Sequence, residues 1–71
     1  MRDIQKIKQQ TELILQGASS EYMVVDHNHV NDDIWSITIK NTITGKFYIF
    51  KSDGFEFYDF EEKKLDNAQN I

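Results

Sequence analysis

The pair Asp53-Gly54 sits between two aromatic runs, Phe47-Tyr48-Ile49-Phe50 before it and Phe55-Glu56-Phe57-Tyr58-Asp59-Phe60 after it. Asp-Gly favours a tight reversal because both residues tolerate positive φ, and aromatic side chains favour strands. This stretch therefore predicts a β-hairpin, with strands at 46–51 and 55–60. Upstream, Thr42-Ile43-Thr44-Gly45 supplies a second reversal. The segment before it alternates strictly: Trp35, Ile37 and Ile39 are separated by Ser36, Thr38 and Lys40. Period-two alternation marks a strand at 34–41 with one buried and one wet face.

Residues 21–26 read as a further strand, with Tyr22 and Val24 on one face and Met23 and Val25 on the other. Asp26 through Asp33 are almost all polar and are expected to form a loop. Residues 4–16 carry the helical period, because Ile4, Ile7, Thr11 and Ile14 recur at spacings of three and four. Leu15 flanks that stripe and Leu13 falls at its margin. Asp3 is the expected N-cap and Gly17 the expected C′ residue. The fold class is thus α+β: an N-terminal helix packed on a four-stranded antiparallel β-meander, with strands adjacent in chain order. Residues 1–71 make a single small domain. Residues 61–71 are expected as a polar C-terminal tail or a short helix.

A chain this short buries only about 60% of its unfolded surface. It has no cysteine, which removes disulfides and thiolate metal sites. Polar residues interrupt every apolar position before Gly17, so no signal-peptide core is visible and a cytoplasmic location is the default expectation. No apolar run approaches the length that spans a bilayer. The helix has a polar face too balanced in charge to seek anionic lipid, so no membrane partner is expected.

If Trp35, Ile37 and Ile39 define the face under the helix, Phe47, Ile49, Phe55 and Phe57 are the simplest companions. Tyr48, Phe50, Tyr58 and Phe60 then fall on the far face. With the neighbouring carboxylates Glu56 and Asp59, they form the expected interaction surface, suited to a protein partner or to self-association in a homodimer. The competing reading is that the C-terminal segment covers these rings, or that twist and a bulge turn some of them inward. The expected function is a noncatalytic protein-interaction module, such as a small adaptor, inhibitor or regulatory subunit.

Net charge is −4, unevenly placed: residues 19–39 hold four acids and no lysine or arginine, and 40–51 hold three lysines and no acid. Lys40, Lys46 and Lys51 beside aromatic rings offer an alternative, single-stranded nucleic acid held by stacking and charge. The acids on the last strand oppose it. Another alternative is a weak metal site: His27 and His29, at i and i+2, share a face in extended chain, with Asp32 nearby. Solvated polar residues are the plainer account of that loop, and no cofactor is expected. No nucleophile–base pair stands out. Thr44-Gly45-Lys46 lacks the rest of a phosphate-binding loop, so the chain is not expected to be an enzyme.

Overall fold

The computed structural model describes residues 2–63. A single helix, α1 (Arg2–Leu15), leads into four strands, β1 (Tyr22–His29), β2 (Trp35–Asn41), β3 (Phe47–Ser52) and β4 (Phe57–Lys63). They form one antiparallel sheet in the order β1-β2-β3-β4. The expected α+β meander is the observed fold. Glu61–Lys63, expected in a polar tail or short helix at 61–71, continue β4; residues 64–71 lie outside the described residues.

The helix forms where the apolar period ran. Ile7, Thr11 and Ile14 are buried and Ile4 packs against them, while Leu13 and Leu15 are exposed. Thr11 satisfies its buried hydroxyl by donating to the Ile7 carbonyl at 2.6 Å. Asp3 lies within the first turn rather than capping it, and its carboxylate accepts a 3.2 Å hydrogen bond from the Tyr48 hydroxyl instead. At the other end Gly17 has φ +75°, its N–H bonds to the Ile14 carbonyl, and Ala18 N–H bonds to that of Leu13. Those two bonds are a Schellman motif, and a left-handed C′ residue is best supplied by glycine.

Register decides which rings meet the helix. In an antiparallel ladder, residues directly opposite each other project to the same face. Asn41 N–H bonds to the Lys46 carbonyl across the turn, so the pairing runs Ile39 with Tyr48 and Ile37 with Phe50. The buried set is therefore Ile7, Ile14, Tyr22, Ile39, Tyr48 and Phe50. Asn41, itself buried, holds the turn: its side-chain oxygen accepts from Ile43 N–H at 2.8 Å and Thr44 N–H at 3.0 Å.

This register corrects the expected division of aromatics. Tyr48 and Phe50 are core residues under the helix, not an exposed surface. Phe47 and Ile49 oppose Lys40 and Thr38 and belong to the far face. A bulge then brings Phe60 inward. Between Ile49 and Lys51 the β3–β4 register shifts, and Asp59 on the bulged strand has φ +56°, which Asp tolerates better than most side chains. The extra residue lets Phe57 and Phe60 meet the same ring. Phe50 lies edge-on to Phe57 at 5.9 Å and stacked on Phe60 at 4.9 Å.

Strand β1 is also longer than its sequence suggests. Asp26 to His29 continue pairing with Thr38 to Trp35 after a register shift between Val24 and Asp26. The connection between β1 and β2 is reduced to residues 30–34.

Candidate functional site

The helix does not cover its face of the sheet evenly. Lys6 pairs with Glu21 at 2.6 Å, Asp3 meets Tyr48, and the Lys8 ammonium lies 5.7 Å from the Phe60 ring centre. These contacts hold α1 over the end of the sheet where β2 turns into β3. Burial along β2 records the consequence. Asn41 and Ile39 are buried, Ile37 is half-buried, and Trp35 is 37% exposed. Trp35, expected in the core, thus sits at the open end of that face.

Two hairpin turns lie at this open end. Residues 30–34 join β1 to β2, and 53–56 join β3 to β4; Trp35 pairs with both His29 and Ser52 beside them. The histidines share a face, as their spacing implied, and that face is occupied by the indole. His29 and His27 have ring centres 3.6 Å and 5.7 Å from that of Trp35. Asp32 lies in the adjoining turn. Among the described residues no three of His, Cys, Asp or Glu converge as metal ligands.

Phe55, also expected in the core, is 92% exposed. The turn that carries it is nonetheless well defined. Asp53 Oδ1 accepts from the N–H groups of Phe55 and Glu56, both at 2.8 Å, and Ser52 Oγ accepts from Gly54 N–H at 3.1 Å. The two backbone donors, Glu56 first, hold the Asp53 carboxyl below the usual carboxylate range. Gly54 adopts φ +93°, a conformation that side chains other than glycine's resist. A fixed backbone therefore presents a bare phenyl ring to solvent.

Val30 is exposed in the neighbouring turn. The same end carries the exposed carboxylates Asp32, Asp33, Asp53 and Glu56, and neither residues 26–35 nor 52–57 contain a lysine or arginine. Three exposed apolar residues, Val30, Trp35 and Phe55, thus share this end of the sheet with four carboxylates.

The opposite face of the sheet has a different character. The pairing aligns Met23, Lys40, Phe47 and Lys63 in one row, and Asp26, Thr38, Ile49 and Glu61 in the next. Lys51 and Tyr58 lie side by side beyond them. Of the expected interaction residues, only Tyr58 among the four rings belongs to this face, half-buried, with Asp59 beside it. Two of the cations there are engaged: Lys40 lies over Phe47 at 5.8 Å and Lys51 pairs with Asp59 at 3.5 Å. Beside the bulge, Ile49, Phe50, Lys51, Asp59, Phe60 and Glu61 line a depression of about 250 Å³. That is under the ~300 Å³ at which small-molecule pockets usually begin.

Sequence reasoning missed Trp35 as a surface residue because it sits at a strand position fit for burial, and Phe55 because the strand expected at 55–60 begins only at Phe57, which leaves Phe55 in the turn. For Trp35 the missing signal was the length of the cover: a helix of 14 residues extends about 21 Å. No family model matches this chain, and no curated protein or solved structure matches it either.

Proposed function

We propose that this protein is a noncatalytic protein-interaction module that docks through the turn end of its sheet. The observation that carries the reading is Phe55, almost wholly exposed on a turn fixed by three short-range hydrogen bonds, at the same end of the sheet as a partly exposed Trp35. Burying that ring against solvent would cost the fold nothing, and leaving it out forfeits roughly 2 kcal/mol of available apolar burial. Exposed aromatic residues on rigid backbone are the usual anchors of protein interfaces, since little side-chain freedom is lost when they dock. The acidic rim supplies orientation and partner choice more than affinity.

The test compares capture by the wild-type chain with capture by Phe55→Ser, using cross-linking in an extract followed by mass spectrometry. The reading expects at least one protein held by wild type and lost in the variant, whose melting temperature is unchanged. Identical captured sets would overturn it. Short single-stranded oligonucleotides should bind neither form at physiological salt; tight, salt-sensitive binding lost in Tyr58→Ala would favour a stacking role for the opposite face instead.

A further inference from the structure

We infer that the occupant of the turn end is an arginine-rich protein segment, a specification that rests on the interaction-module reading above. Two features of the site choose it. The rim carries Asp32, Asp33, Asp53 and Glu56 with no lysine or arginine in either turn, so a cationic partner is complementary and an anionic one is repelled. The apolar centre is aromatic, and Trp35 keeps part of its ring system open although His29 packs against it. Arginine is the cation that uses both features at once. Its planar guanidinium stacks on an indole and is weakly hydrated, while its fork of N–H donors meets carboxylates in pairs. Lysine offers a compact, strongly hydrated charge and gains less from the ring.

Part of the negative charge elsewhere on the molecule is already paired. Glu61 and Asp59 lie along β4 beside Lys51, with Asp59 already paired to it. Glu21 is paired with Lys6. No such ion pair involves Asp32, Asp33, Asp53 or Glu56 among the described residues. Four carboxylates outside those ion pairs, Asp32, Asp33, Asp53 and Glu56, lie in the two turns at the end of the sheet that carries the exposed Phe55 and the partly exposed Trp35.

Trp35 is the sole tryptophan, so its fluorescence reports directly from the site. The experiment titrates the full chain with an oligo-arginine peptide, an oligo-lysine peptide of equal length and an oligo-glutamate peptide. Oligo-arginine should shift and saturate the Trp35 emission, bind roughly fivefold more tightly than oligo-lysine, and weaken as salt rises. Oligo-glutamate should give no change. The triple variant Asp32→Asn, Asp33→Asn, Glu56→Gln keeps Asp53, whose carboxylate holds the turn, and should lose about tenfold or more in affinity. A second triple variant, Glu12→Gln, Glu61→Gln, Glu62→Gln, removes as much charge elsewhere and should bind as wild type does. Equal loss in both variants would reduce the effect to net charge and overturn the inference. So would arginine binding that leaves Trp35 emission unmoved, or equal affinity for arginine and lysine. If extract capture succeeds while oligo-arginine fails, the module stands and the arginine-rich partner falls. If oligo-arginine binds at Trp35 but Phe55→Ser captures the same proteins as wild type, the Phe55 docking reading falls alone.

Discussion

The two ends of the helix-covered face are built from similar residues and meet opposite fates. At one end Tyr22 and Tyr48 pack edge to face, with ring centres 6.3 Å apart, beneath α1. At the other, Trp35 lies against His27 and His29 of β1, and Phe55 stands in water. Composition does not separate them, and Trp35 shares the helix-side row of β2 with Ile39, although Phe55 lies in the turn before β4. What separates them is reach, because one short helix covers only part of a four-stranded sheet. The lesson is that an aromatic residue in a small domain belongs to the core only where a second layer exists to cover it.

The sharpest way to break this comparison is to remove one ring from each end. Phe50 is fully buried and touches both Phe57 and Phe60. Phe50→Ala should cost about 3–5 kcal/mol, combining lost transfer energy with the cavity left behind. In a domain of this size that should lower the melting temperature by more than about 10 °C. Urea unfolding measures the loss directly. A cost under about 1 kcal/mol would mean that Phe50 is not where the register places it.

That register marks the limit of what the sequence made legible. The helix stripe, the alternation of Trp35, Ile37 and Ile39, and both reversals were readable, because each depends on local spacing. Which face Tyr48 and Phe50 occupy depends on the residues spent in the turn between Asn41 and Lys46, and one residue more or fewer would flip the whole strand. Phe60 needed a bulge at Asp59, where nothing local distinguishes an aspartate that takes positive φ from one that does not. Asp26 to His29 looked like loop because they are polar; pairing with β2 made them strand. The exposure of Trp35 was harder still, since it follows from where the helix stops covering the sheet, and that of Phe55 follows from a turn that runs two residues longer than the Asp-Gly pair alone suggests.

A pH titration sharpens the same contrast at the covered end. Burial, then the hydrogen bond to Asp3, pushes the Tyr48 hydroxyl up to about 12. An unfolded tyrosine ionises near pH ~10. Because the folded state holds its proton more tightly, the stabilisation is complete below the unfolded value and is lost as pH rises through the folded one. Stability should therefore fall by on the order of 2 kcal/mol between about pH 10 and 12. The comparison is with Tyr48→Phe, which removes the ionisable group; its alkaline profile should be flatter over that window. Parallel profiles for the two proteins would show that Tyr48 does not carry the effect.

The smallest expected change in stability belongs to the open end and is the most informative about function. Phe55→Ala removes a ring that is already in solvent and leaves the N–H group that Asp53 accepts. Chemical denaturation should give a change within about 0.5 kcal/mol, as for other surface substitutions away from special backbone. The same variant should weaken oligo-arginine binding, because the apolar centre of the site loses its most exposed member while the carboxylate rim is intact. A residue kept for folding would show the reverse pattern, a large loss of stability with binding following it. Phenylalanine at a position where alanine serves the fold equally well is a side chain whose contribution must be measured against another molecule.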